Sequence, residues 1–236
     1  AVAGPHLPEA LRGPHGKTAA GLVQVQGRRG RWTRVDEPRD VLGYDQRVED
    51  ALRQEGDLYL DGFWQSEKYF RTKAEEIRAE IRPPKLNKGS EAIAAVASSS
   101  ESVSLHVRRG DYVSDQGVAA SQGAAGPEYY AAALEEMERR RGRFRLFIFS
   151  DDIEWVRKNM SFRQEATYVS GVAGSDLEEL ALMATCHHNI IANSTFSWWG
   201  AWLNPNQNKT VIAPSRWVTD ARYRSVDVVP DEWIKL

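Results

Sequence analysis

Ser104-Leu105-His106-Val107-Arg108-Arg109-Gly110-Asp111-Tyr112 joins an apolar strand pattern to two guanidinium groups, a glycine and a carboxylate. Val103, Leu105 and Val107 alternate with other residues, the period of a half-buried strand, and Gly110 permits a sharp turn where that strand stops. In open α/β sheets ligands sit beyond the carboxyl ends of the strands. Planar arginine forks suit bidentate contact with phosphate oxygens, so Arg108-Arg109 marks a candidate anion loop. On extended backbone successive side chains point to opposite sides. One arginine would then face a ligand while the other braces the loop. A solvated basic turn is the plain alternative, and Arg109-Gly110-Asp111 is also an adhesion tripeptide.

Outward from this strand the rhythm is strand, loop, helix, repeated. Strand patterns recur at Leu146–Phe149, Ala166–Val169, Asn189–Ala192 and Thr210–Ala213. Helical patterns lie between them at Pro127–Arg141, with Pro127 near its start and Gly142 past its end, at Ile153–Met160 and at Asp176–Cys186. This alternation predicts an α/β fold with a parallel sheet and helical crossovers. One strand runs into Ser150-Asp151-Asp152, and another into Asn193-Ser194-Thr195-Phe196-Ser197-Trp198-Trp199-Gly200. Backbone N–H groups at a helix start, with hydroxyl donors beside them, suit a phosphate. Simple N-capping by Ser194 or Thr195 is the structural alternative.

Ala1–Arg53 is poorly patterned, and only Gly21–Gln26 reads as a strand. Leu58–Trp64 alternates again. Ser66–Arg82 reads as one helix with apolar Tyr69, Phe70, Ile77 and Ile81, ended by Pro83-Pro84. Lys88–Ser102, with its alanines and serine run, reads as a connection between lobes.

The 236 residues, 42% hydrophobic and 27% charged, are enough for one large or two small globular domains. A net charge of -2 gives no general attraction to nucleic acid or anionic membranes, so any anion site is local. The single cysteine, Cys186, cannot form an intrachain disulfide and reads as a small buried hydrophobe. No stretch is long and apolar enough to cross a bilayer, and no charged-then-apolar leader opens the chain. No metal site is expected: Asp151-Asp152 lacks the Asp-x-Asp spacing, and adjacent His187 and His188 would point apart. Asn159-Met160-Ser161, Asn193-Ser194-Thr195 and Asn208-Lys209-Thr210 fit the N-glycosylation acceptor pattern.

Three ordered motifs carry a resemblance. His106 through Tyr112 matches His-x-Arg-Arg-x-Asp-Tyr, Phe149 through Asp152 matches Phe-Ser-Asp-Asp, and Asn193 through Leu203 matches Asn-Ser-Thr-Phe-Ser-Trp-Trp-Gly-Ala-Trp-Leu. With Gly62–Phe70 and Val229–Lys235 added, the chain from about Leu58 to Leu236 resembles the α-1,2-fucosyltransferases of glycosyltransferase family 11. The resemblance implies a GT-B-like arrangement of two Rossmann-like lobes. Residues 1–98 would be a partial, acceptor-side lobe, and residues 99–236 a GDP-fucose-binding lobe with a C-terminal return segment. The family's opening Gly-Gly-Leu-Gly-Asn-Gln loop has no match, which implies an incomplete first lobe.

The implied activity is inverting transfer of L-fucose from GDP-β-L-fucose to the 2-hydroxyl of a terminal galactoside, a glycan acceptor, with no metal and no cofactor beyond the donor. Carried over by motif, Arg108 would contact the diphosphate, His106 and Asp176 would hold guanine, and Arg109, Ser194, Thr195 and Ser197 would complete the donor side. Asp176 could equally cap the helix running to Cys186. Asp111 joins Arg108 as a catalytic candidate, as the base or as a salt-bridge partner of the arginines. Trp64 and Glu67 fall on the acceptor side, whereas Trp198, Trp199 and Trp202 read as core. A GDP-sugar or glycan-binding fragment with impaired catalysis is the alternative that the missing loop suggests. The compartment would be the Golgi lumen, behind an N-terminal membrane anchor, for a eukaryotic member and the cytoplasm for a bacterial one.

Overall fold

A computed structural model describes residues 22–27, 30–38, 40–110, 123, 125–221 and 223–236. The chain begins with β1 (Leu22–Gly27), β2 (Gly30–Asp36), β3 (Val41–Leu42), α1 (Gln46–Leu52) and β4 (Asp57–Asp61). It continues through α2 (Ala74–Glu80), α3 (Lys88–Ser99), β5 (Ser102–Val107), α4 (Pro127–Arg141), β6 (Arg145–Ser150) and α5 (Ile153–Asn159). The last elements are β7 (Ala166–Tyr168), α6 (Asp176–Thr185), β8 (His188–Ile190), α7 (Thr195–Leu203), β9 (Val211–Ala213), β10 (Arg224–Ser225) and β11 (Ile234–Lys235). The chain divides into two units, a smaller one holding the described residues before 39 with Asp45–Trp64, and a larger one holding Asp40–Tyr44 and Gln65–Leu236.

The smaller unit is a three-stranded sheet of order β1-β2-β4, in which β1 runs antiparallel and β4 parallel to β2. Thr33 and Val35 are buried while Arg34 and Asp36 stay half-buried, the alternation of a strand. Asp45 caps α1 by accepting from the Arg47 amide at 3.0 Å.

The larger unit is built on a wholly parallel six-stranded sheet, order β11-β9-β8-β5-β6-β7. Both faces of its central strand are covered: Val103, Leu105 and Val107 pack with Tyr130, Met137 and Ile148, and Phe147 and Phe149 of β6 pack on the other face with Ala97, Leu182 and Met183. Every residue of β5 is buried, not half of them as the alternation implied, because helices lie on both sides of a parallel sheet. Ser104 is accommodated by a 2.7 Å bond from the Asn189 amide. Beside β8 and β9, Trp198, Trp202 and Trp233 form a third cluster with Phe70 and Trp199 packed against it, so Trp198 and Trp202 are core as expected and Trp199 is partly buried at its margin.

Ser66–Arg82 is not one helix. Two 3-10 turns, Glu67–Tyr69 and Arg71–Lys73, precede α2. Phe70, at φ -135 and ψ 8, breaks the helix between them, and its ring stacks on Trp199 at 5.6 Å and meets Trp202 edge-on at 5.3 Å. Tertiary burial of one aromatic ring overrides the local helical pattern.

Lys88–Ser102 is not a linker either. Asn87 caps α3 by accepting from the Ser90 amide at 2.9 Å, and Ala97 reaches the core. The serine run turns its hydroxyls back on the carbonyls of Ala95 and Val96. Residues 65–98 thus pack with the larger unit. Among the described residues no helix is long and apolar enough to cross a membrane.

Candidate active site

From β5 the chain crosses through α4 to β6 and through α5 to β7, then returns through α6 to β8 on the other side of β5. The loops leaving β5 and β8 therefore diverge, and a topological switch point of this kind opens a crevice at the carboxyl edge of the sheet. His106 at the end of β5 and Arg108 and Arg109 just after it stand at that edge on one side, and Asn193, Ser194 and the first α7 residue, Thr195, on the other.

The arginine loop is organised by the turn after β6. Asp151 accepts from the Arg109 amide at 2.8 Å and pairs with the Arg108 guanidinium at 3.1 Å. Arg109 lies 3.5 Å over the Trp155 ring and 3.6 Å from Asp152, so it braces the loop against α5. Asp152 also caps α5 by accepting from the Trp155 amide at 3.2 Å.

His106 is 3% exposed, with its ring 5.8 Å from that of Phe196. Burial, with the Arg108 charge second, pushes its pKa down to about 3, so the imidazole is neutral. Its Nδ1 is buried with no hydrogen-bond partner among the described residues.

Opposite, α7 begins at Ser194, whose extended backbone places it at the cap position without a side-chain cap bond. Among the described residues the Ser194 side chain takes up none of the first-turn N–H groups, which leaves that end of the helix suited to an anion. Thr195 is exposed and Ser194 buried, while Ser197 is fully buried and donates to the Ser194 carbonyl at 3.3 Å. Asn193 anchors the turn: its amide nitrogen donates to the carbonyls of Gly123 at 2.8 Å and Trp217 at 3.1 Å.

At the start of α6 Ser175, not Asp176, is the cap, accepting from the Glu178 amide at 3.3 Å. Asp176 is exposed on the first turn. Glu179 is the residue that sequence reasoning missed: it is half-buried, and burial raises its pKa, with Asp176 and Asp151 adding to the effect. Its only sequence signal is its position one turn before Leu182 and Met183, on the face that α6 buries.

One acceptor-side candidate is not brought to this crevice. Glu67 accepts from Trp202 Nε1 at 3.1 Å, near the end of α7 and thus at the amino edge of the sheet, where burial raises its pKa. Trp64 belongs to the smaller unit, held at φ 51 with its amide donating to Glu37 at 3.2 Å. Asp111 lies outside the described residues. Cys186 is buried and its thiol pKa is raised by burial, so it is inert packing.

A parallel sheet with helices on both faces, with an arginine and an open helix start at its switch point, is a Rossmann-like architecture compatible with a glycosyltransferase fold. Residues 50–236 match the model of Glycosyl transferase family 11, and the chain belongs to that family.

It is 34% identical over 196 residues to the alpha-1,2-colitosyltransferase of Escherichia coli, covering 82% of this chain and 67% of that one. The O-antigen biosynthesis glycosyltransferase WbnK of Escherichia coli is 37% identical over 145 residues, 60% of this chain and 46% of the relative. The galactoside 2-alpha-L-fucosyltransferase SEC1 of Bos taurus is 37% identical over 108 residues, 43% and 28% of the two chains. The chain thus spans about two thirds of the first relative and under half of the other two. No solved structure matches it.

Proposed function

We propose that this chain is an inverting α-1,2-fucosyltransferase that moves L-fucose from GDP-β-L-fucose to the 2-hydroxyl of a terminal galactoside, its larger unit serving as the donor lobe of a GT-B-like enzyme. The observation that carries the reading is the pairing at one switch point of Arg108 with the uncapped start of α7. The relatives' names supply the α-1,2 outcome and, for SEC1, the fucosyl group and the galactoside.

In the proposed reaction the acceptor oxygen attacks the fucosyl anomeric carbon as the bond to the β-phosphate oxygen breaks. The bonding electrons leave with GDP, and the acceptor proton passes to a base, for which Asp111 is the candidate. Donors aimed at the departing diphosphate act more strongly on the transition state than on the bound substrate. Arg108 and the N–H groups that open α7 take that role, with Ser194 and Thr195 hydroxyls beside them. The cationic arginine meets the leaving charge, so no metal is required. Neutral His106 and a carboxylate of α6 read guanine, whose ring N–H and exocyclic amine together match one carboxylate. Asp176 and half-buried Glu179 share that face of the site.

The test is GDP release from GDP-fucose with a terminal-galactose acceptor, followed by linkage analysis of the product. A product other than an α-1,2-linked fucoside overturns the reading. GDP-colitose turned over faster than GDP-fucose would reassign the sugar while keeping the transfer.

A further inference from the structure

We propose that Asp151 is a positioning residue, which aims the Arg108 guanidinium at the leaving diphosphate from the neighbouring strand. The proposal rests on the reading of the crevice as a diphosphate site.

Three consecutive residues of the β5 loop are arranged around this one carboxylate: Arg109 through its amide at 2.8 Å, Arg108 through its guanidinium at 3.1 Å, and Gly110 through its missing side chain. A Cβ on Gly110 would lie 2.5 Å from Asp151 Oδ2, a distance no real Cβ contact tolerates, so the glycine makes room for the carboxylate. The turn that carries Asp151 is itself held. The Ser150 amide donates to Ser170 Oγ at 2.9 Å, the Asp152 amide to Ser150 Oγ at 3.0 Å, and Asp152 caps α5.

The Arg108–Asp151 pair is partly open to solvent, the side chains being 32% and 24% exposed. Ion pairs of that kind contribute little to stability. Their use is geometric: a guanidinium has five N–H donors in a rigid fork, so one edge can be fixed by a carboxylate while another meets phosphate oxygens. Without that fixed edge, a long and flexible side chain would have to be ordered at each binding event. Arg109, stacked on Trp155, is braced elsewhere, which leaves Arg108 as the group that Asp151 directs.

Calorimetric titration of the full chain with GDP, as a double-mutant cycle, tests this. Arg108→Ala is expected to weaken binding about tenfold to a hundredfold. Asp151→Ala, with Arg108 intact, is expected to weaken it about tenfold, and Asp151→Asn less because its amide oxygen still accepts from Arg109. The double variant is expected to match Arg108→Ala within about twofold, since the loop that Asp151 holds reaches the nucleotide through Arg108. A merely structural residue would add its loss to that of Arg108→Ala.

Gly110→Ala, which displaces the carboxylate without removing it, is expected to behave as Asp151→Ala does, and it carries the same cycle if Asp151→Ala fails to fold. Additive losses, or GDP affinity unchanged or tighter in both the Asp151→Ala and Gly110→Ala variants while Arg108→Ala weakens it, overturn the proposal and leave the site assignment standing. GDP affinity unchanged in Arg108→Ala removes the site assignment and the proposal together.

Discussion

Replacing His106 with glutamine removes one proton-binding site from the folded and unfolded chains alike, and the two chains use that site differently. In the folded protein the imidazole is 3% exposed, and its pKa falls from the ordinary 6.5 to about 3, first through burial and then through the charge of Arg108. Between those values the unfolded chain takes up a proton that the folded chain refuses. Stability therefore rises with pH across that window and is lost as pH falls through it. At one pKa unit per 1.36 kcal/mol, the 1.5 units separating 6.5 from pH 5 amount to about 2 kcal/mol, against almost nothing at pH 7.5.

Urea unfolding at pH 7.5 and pH 5 measures this for both proteins. The unmutated protein is expected to lose about 2 kcal/mol more than His106→Gln on acidification. His188, whose pKa is also lowered by burial, and the carboxylates contribute to both slopes and cancel, as does any cost of the substitution at pH 7.5. Equal losses in the two proteins would refute a neutral, desolvated His106.

Gly200→Ala would bring a Cβ to 2.9 Å from Met183 Cβ between α7 and α6, so a loss of about 1–3 kcal/mol is expected in chemical denaturation. Asn189→Ala removes the donor to Ser104 Oγ and to the Met183 carbonyl and one acceptor of the Asn204 amide, all bonded to its side chain within 2.9 Å, and is expected to cost about 1–3 kcal/mol with a lowered Tm. The Cys186 thiol is expected not to react with Ellman's reagent at pH 8 until denaturant is added, and rapid reaction of the folded chain would contradict its burial.

Strands β5 to β9 and helices α4 to α6 were legible because each is a continuous apolar period closed by a strong stop, such as Pro127 before and Gly142 after α4. Arg108, Ser194 and Asp152 were legible for a related reason: they sit where those periods end. What the pattern hid was held by distant partners. Glu178, which accepts from Asn87, Ser90 and Gly174, fastens α3 to α6, and nothing local to the alanine- and serine-rich stretch announces that bond. Phe70 interrupts a helical period for the sake of tryptophans about 130 residues later. Glu179 looked like any acid in a first turn, because its role follows from the side of α6 that faces the sheet.

Asn193 bears on the chain's fate in a compartment that attaches glycans. Oligosaccharide transfer needs the amide nitrogen of a tripeptide that can adopt an open, accessible shape, and here that nitrogen is committed to the carbonyls of Gly123 and Trp217 in a residue only 3% exposed. The folded protein thus masks the acceptor asparagine that its sequence displays. Modification at Asn193 would have to outrun folding, and a chain so modified could no longer seat its carboxamide between those carbonyls. Occupancy at this position would then report on how long the nascent lobe stays open rather than on its finished surface.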